Sequence, residues 1–206
     1  MKITCVSDTQ ANIVELQEYI KNFLSILERS DKIIHLGDGV DRAKPLLQNY
    51  KDTVYIRGNH DNNDLNLKNT FEIEFNNVSL HFFHGQRNER LKERLNIWEN
   101  KLRGMFGYPP DLKKYYTWLQ TRYNTKADII IYGHIHIPKI DFEDNRAFFC
   151  PGGLPPSRLL HGNLPSIGVM DIAEKNRSVD GITFSVYGYD VYNKKLVRTH
   201  HSSLKY

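Results

Sequence analysis

Five short apolar runs in this chain each stop abruptly at groups able to hold a ligand. Ile3-Thr4-Cys5-Val6 runs into Ser7-Asp8-Thr9-Gln10, Ile33-Ile34-His35-Leu36 into Gly37-Asp38-Gly39, and Val54-Tyr55-Ile56 into Arg57-Gly58-Asn59-His60-Asp61. Leu80-His81-Phe82-Phe83 leads to His84-Gly85, and Ile129-Ile130-Ile131-Tyr132 to Gly133-His134-Ile135-His136. β-branched and aromatic runs of this length predict buried strands. Carboxylates, amides and imidazoles are costly to bury without partners, so folding alone gives little reason to gather them at strand ends. In open α/β sheets the crevice beyond the carboxyl ends of the strands is where ligands bind.

Between the first three strands the pattern changes to helical spacing. Asn12 predicts an N-cap with Glu15 three residues on, followed by Ile13, Leu16, Ile20, Phe23, Leu24 and Leu27 in one helix to Arg29. A short helix near Arg42–Asn49 precedes the third strand. Strand–helix–strand–helix–strand predicts parallel pairing through right-handed crossovers. Phe71–Phe75 and Val78–Phe83 predict a hairpin turning at Asn76-Asn77, with φ > 0 tolerated there. Beyond Gly133 five strands are expected, Lys139–Phe142, Arg146–Cys150, Ser166–Ile172, Ile182–Tyr189 and Lys195–Thr199, with turns at Asp144-Asn145 and Asn193-Lys194.

Residues 86–126 interrupt this rhythm. Leu91, Leu95, Trp98, Leu102 and Met105, then Leu112, Tyr116, Leu119 and Tyr123, recur at four-three spacing on either side of a Gly- and Pro-rich break at 104–110. The spacing predicts an inserted αα-hairpin. It also holds the basic charge: ten Lys or Arg against four Asp or Glu, while the rest of the chain has eighteen against twenty. A substrate-facing cap, a patch for nucleotides, nucleic acid or anionic lipid headgroups, and a homodimerisation hairpin all fit that composition, and the start of the hairpin two residues after His84 favours the cap. The whole chain carries +4 over 206 residues, with 40% hydrophobic residues, which suits one globular domain spanning 1–206. No window is long and apolar enough for a transmembrane segment, and Met1-Lys2-Ile3 enters a strand directly, so the expected location is cytoplasmic. Cys5 and Cys150 sit within apolar strands and are expected as reduced core thiols.

Collected, the strand-end groups are Asp8, Gln10, Asp38, Asn59, His60, His84, His134 and His136. Oxygen donors mixed with imidazole suit manganese foremost, or iron, zinc, nickel, cobalt or magnesium, rather than calcium. One ion would not use so many protein ligands, whereas two divalent metal ions sharing a carboxylate would. Such a pair forms a clamp for phosphoryl chemistry. His60, directly after a ligand, is then left beside the substrate.

These motifs in this order, Asp-x-Gln, Gly-Asp, Gly-Asn-His-Asp, His-Gly and Gly-His-x-His, resemble those of the calcineurin-like metallophosphoesterase family, in particular its small single-domain phosphodiesterase branch. The resemblance implies an α/β, four-layer αββα sandwich of two mixed sheets, here with the helical insertion. It implies that Asp8, Asp38 and His136 hold one metal, that Asn59, His84 and His134 hold the second, and that Asp38 bridges. It makes His60 the catalytic, substrate-side histidine with Asp61 as its orienter. Asn59 joins it at the substrate, and the Pro-Gly-Gly…Ser-Arg loop, which also carries His161, resembles one in that branch; Arg158 in it either holds a substrate phosphate through its planar guanidinium or is simply exposed. The implied reaction is hydrolysis of a phosphoester, preferably a diester, by in-line attack of a hydroxide held between the metals. One position departs from the family, which has His where this chain has Gln10. A neutral amide oxygen is a weaker donor than imidazole, so the first site should bind more weakly. The rival expectation is a catalytically weak or inactive binding module, a protein-interaction scaffold like a retromer subunit of the same fold.

Overall fold

The computed structural model describes residues 1–50, 52–61, 66–86, 112–155 and 164–206. In chain order these form β1 (Lys2–Val6), α1 (Ile13–Asn22), α2 (Leu24–Leu27), β2 (Lys32–His35), α3 (Val40–Leu47) and β3 (Thr53–Tyr55). Then come β4 (Thr70–Glu74), β5 (Ser79–Phe83), α4 (Lys113–Arg122), β6 (Ile129–Tyr132), β7 (Lys139–Glu143) and β8 (Arg146–Cys150). The long strands β9 (Ser166–Lys175), β10 (Ser178–Asp190) and β11 (Lys195–Lys205) close the chain. Six strands form one sheet in the order β11-β10-β9-β1-β2-β3, and five form the other in the order β4-β5-β6-β8-β7.

Both sheets are mixed, and the mixture positions the site. β1, β2 and β3 run parallel, as do β5, β6 and β8, so their carboxyl ends share one edge of each sheet. The inner faces meet in an apolar core containing Ile3, Ile34, Leu80, Phe82, Ile131, Phe149 and Phe184. The outer face of the six-stranded sheet is covered by α1, α2 and α3 through Leu16, Phe23 and Leu47. α4 covers the other sheet with Tyr115, Tyr116 and Leu119. The result is the expected four-layer αββα sandwich.

Local signals behave as their chemistry requires, with instructive exceptions. Asn12 caps α1 by accepting from Glu15 N–H at 3.0 Å. The single helix expected to Arg29 instead breaks at Phe23 (φ −94°, ψ 4°), whose wholly buried ring turns the chain into α2. Asp144 and Asn145 both adopt positive φ in the β7–β8 turn. The β4–β5 hairpin forms, but neither Asn76 nor Asn77 is among the described residues with positive φ. Asn77 instead exchanges two hydrogen bonds with Val179, tying the sheets together at the end opposite the strand-end cluster. β9, β10 and β11 run well past their expected ends, because their polar tips are held by pairing with one another rather than by burial.

The second half of the insert, α4, is the fourth layer of the sandwich, while the first half and the 104–110 break lie outside the described residues. Tyr116 stacks on Phe148 at 4.1 Å and donates to Asp141 at 2.5 Å, and exposed Lys113 pairs with Glu143 at 3.0 Å. Packing accounts for this half; the expected nucleic-acid and homodimer roles find no support in it. Among the described residues no helix is long and apolar enough to cross a membrane. Cys5 and Cys150 are free and fully buried, and burial pushes both thiols far up.

Phe149 and Phe184 meet across the two sheets with ring centroids 5.4 Å apart, both fully buried. Phe149→Ala is expected to lower unfolding free energy by about 3–5 kcal/mol, to be measured by urea denaturation.

Candidate metal centre

Four of the expected ligands sit in strained backbone. Asp8 (φ 56°), Asp38 (63°), His134 (68°) and His136 (54°) all occupy the left-handed region. Non-glycine residues seldom adopt it, and where they do the surrounding structure must hold them. Each lies two to four residues beyond a strand, where the chain has to turn while its side chain stays aimed at the seam between the sheets.

The loops at this seam approach backbone to backbone. A Cβ on Gly58 would lie 2.0 Å from Asp38 Oδ1, and one on Gly133 would lie 2.0 Å from Ser7 Oγ. Glycine is required at both for lack of space. Asp8 Oδ2 accepts from Ser7 Oγ (2.5 Å) and from the His134 N–H (3.0 Å), so the end of β1 is held to the end of β6. His84, after β5, donates from Nδ1 to the Leu36 carbonyl at 2.9 Å. That bond crosses the sheets the other way and leaves Nε2 aimed at Asp38 Oδ2 (3.3 Å) and Asn59 Oδ1 (3.1 Å). His136 lies 3.2 Å from Asp8 Oδ1 through Nε2 and 3.2 Å from the Pro155 carbonyl through Nδ1.

Three observations bear on whether these residues fit a cation. Ligand atoms of Asp38, His84 and His134 all lie within 4.8 Å of one another. With Nδ1 protonated, a neutral His84 presents its Nε2 lone pair to two oxygens that are themselves acceptors; a cation among the three satisfies all of them. Asp8 Oδ1 is buried and makes no hydrogen bond of acceptable geometry. Among the described residues the His136 ring is its one close polar partner, and a cation would supply the further positive charge a buried carboxylate oxygen calls for. The donor set fits a divalent transition metal.

Gln10 is placed differently from the expectation of a weak ligand. Its amide nitrogen donates to Asp38 Oδ2 at 2.8 Å, and its backbone carbonyl is held by Arg42 Nη1 at 2.8 Å. Asp61, expected to orient the His60 ring, spends both carboxylate oxygens on backbone N–H groups of the Asp38 turn and of Gly58. His60 itself is 67% exposed, with Nε2 4.0 Å from Asp38 Oδ2, at the mouth of the cluster. Arg158 and His161 lie outside the described residues.

Sequence reasoning passed over the supporting residues. His35, within β2, is fully buried and satisfied: Nδ1 accepts the Gly37 N–H at 3.2 Å and Nε2 donates to Thr9 Oγ1 at 2.9 Å. Burial pushes its pKa down to about 4, keeping it neutral. Tyr115 donates to the Gly85 carbonyl at 2.8 Å and Tyr123 accepts the Gly85 N–H at 3.2 Å, so α4 clamps the turn that carries His84. Tyr115 lies in the first turn of α4 and Tyr123 caps its C-terminus, a relation legible in the spacing, whereas Gly85 as their common target is not.

A model of the calcineurin-like phosphoesterase superfamily domain matches residues 1–175. The chain belongs to this superfamily. Among solved structures, Vps29 from Cryptosporidium parvum is similar at 17% identity and a TM-score of 0.67, covering 100% of this chain and 98% of its own. Vps29 from Entamoeba histolytica, solved with zinc, is 17% identical with a TM-score of 0.63, covering 100% and 99%. An archaeal phosphodiesterase is 18% identical with a TM-score of 0.52, covering 99% and 100%. At these identities the likeness establishes the fold. No curated protein matches the chain in sequence.

The electrostatics make the metal-free protein sensitive to pH on both sides. Burial alone would raise Asp8 and Asp38, but His136 beside Asp8 and His84 beside Asp38 hold both carboxyls below their usual range. Burial alone would lower His84 and His136, yet the same carboxylates carry both imidazoles above the ordinary histidine value. Depressed carboxyls stabilise above their unfolded pKa and lose that contribution as pH falls through the folded one. Raised imidazoles stabilise below their unfolded pKa and lose it as pH rises through the folded one. In chelator, unfolding free energy should therefore be greatest between about pH 4 and pH 6.5 and decline on either side. Urea titrations across pH check this, and a flat profile from pH 4 to 9 would contradict it.

Proposed function

We propose that this chain is a metal-dependent phosphodiesterase. In this reading Asp8, Asp38 and His136 hold one divalent ion, and Asn59, His84 and His134, with Asp38 shared, hold a second. The observation that carries it is the meeting of a buried carboxylate pair with His84, His134 and His136 across the seam of two sheets, next to one exposed histidine. When bound, the ions supply an activated water and neutralise phosphate oxygens.

The chain's own residues then have separate tasks. Asp8 and Asp38, buried and charged, set the negative potential that retains the cations. His84 is locked in one tautomer by the Leu36 carbonyl, so its Nε2 is committed to the cluster. His60 is free of that commitment. Its backbone N–H is fixed to Asp38 Oδ1 at 2.8 Å, while its ring stands in solvent at the mouth, placed to donate to a phosphate oxygen or to protonate the leaving alcohol. A hydrolase reading is supported by membership of the superfamily, and the diester preference by the archaeal phosphodiesterase of the same fold. Oxygen donors mixed with imidazole suit manganese, and they suit zinc as well, the ion with which the amoebal neighbour was solved.

The rival scaffold reading differs in one measurable respect, turnover. Parent protein with Mn²⁺ should hydrolyse bis(4-nitrophenyl) phosphate. His60→Ala should lower kcat about 10²–10⁴-fold while retaining the same bound metal by elemental analysis. Metal binding without turnover in the parent would favour the scaffold.

Gln10 makes the first ion the weaker of the two. Its amide hydrogen sits on Asp38 Oδ2, where a ligand would otherwise offer a lone pair. Gln10→His should raise the number of Mn²⁺ ions retained through gel filtration and the rate at subsaturating metal. If neither changed, Gln10 would not limit that site.

A further inference from the structure

We propose that Asp61 is the positioning residue that sets the spacing of the metal ligands by bracing two loops together. This rests on the metal-centre reading above, but the brace itself is a matter of backbone geometry. Oδ2 accepts the N–H of Asp38 (2.9 Å) and of Gly58 (2.8 Å), and Oδ1 accepts the N–H of Gly39 and of Val40, both at 2.9 Å. Three of these donors lie in the turn after β2 that carries Asp38. The fourth lies in the turn after β3 that carries Asn59 and His60. One carboxylate therefore spans both loops with charge-assisted bonds of ordinary length.

The bond set is reciprocal. Asp61, from the second loop, holds the backbone of Asp38, and Asp38 Oδ1, from the first, accepts the backbone N–H of His60 at 2.8 Å. Each loop thus places its carboxylate on the other's main chain, and the two are so close that a Cβ on Gly37 would lie 2.6 Å from Gly58 N. α3 also depends on it. Its N-cap is Gly39, which has no side chain to offer, so Asp61 supplies the acceptor for the first N–H groups and sits favourably at the positive end of the helix. With all four bonds going to backbone, Asp61 acts on where Asp38, Asn59 and His60 stand rather than on the state of the His60 ring.

An amide at this position can accept through its oxygen alone, and its NH₂ would face N–H donors. Asp61→Asn should therefore weaken Mn²⁺ affinity about 10- to 100-fold by calorimetry, with near-parental circular dichroism. Asp61→Glu, which keeps the carboxylate, should recover part of the loss. Hydrogen exchange read by NMR gives an independent measure. The amides of Asp38, Gly39, Val40 and Gly58 should be protected in the parent and should lose protection together in Asp61→Asn. Parental Mn²⁺ affinity in a folded Asp61→Asn overturns the proposal, as does an altered pH–rate profile with unchanged affinity, which would make Asp61 the orienter of His60. If the variants do not fold, exchange in the parent decides, because rapid exchange of those four amides overturns it. A parent that binds no Mn²⁺ defeats the metal-centre reading instead, and the exchange measurement then judges the brace alone.

Discussion

Asp8 and Asp38 are two carboxylates almost entirely removed from water, at the line where two sheets meet. Two like charges so placed repel each other and forfeit hydration, and a fold tolerates them only by supplying opposite charge and hydrogen bonds from every side. Most of the surrounding architecture meets that demand. Ser7 and the His134 backbone serve Asp8; the His60 backbone, Gln10 and His84 serve Asp38. Still, Asp8 Oδ1 lacks a hydrogen bond, and the nearby imidazoles are drawn toward the charged form.

The same demand explains the placement of strain and glycine. The residues with unfavourable backbone in the seam are largely the candidate ligands, and the glycines there are sites where another loop occupies the space of a Cβ. Strain of this kind persists when packing on both sides over-determines the loop. Here two sheets, α3 and α4 each hold one of the turns: α3 through its N-terminus and Asp61, α4 through Tyr115 and Tyr123 on Gly85. The basic insert thus has a structural duty in its second half that does not depend on its charge.

Gln10 shows how one residue shifts the balance within this frame. An imidazole could present a lone pair to a cation, whereas the amide presents a hydrogen to Asp38, partly doing the work of the missing positive charge. The superfamily fold therefore accommodates an amide at this position, and His60 keeps its exposed place beside it.

Sequence alone determined the strand ends, their order and the groups they carry, because a buried strand and the turn that follows it are local: alternation, β-branching and an adjacent glycine are all written within a few residues. It also determined the Asn12 cap and the Asp144-Asn145 turn by the same short-range chemistry. Tertiary structure decided the rest. The break at Phe23, the added length of β9 to β11 and the docking of α4 on the five-stranded sheet depend on surfaces contributed by distant segments. Asp61 is the sharpest case. Its neighbour in sequence is His60, yet three of its four bonds go to the N–H groups of Asp38, Gly39 and Val40, which reach it only when the loops after β2 and β3 close on each other. A carboxylate accepts from whichever donors the fold leaves unpaired, and sequence spacing does not name them.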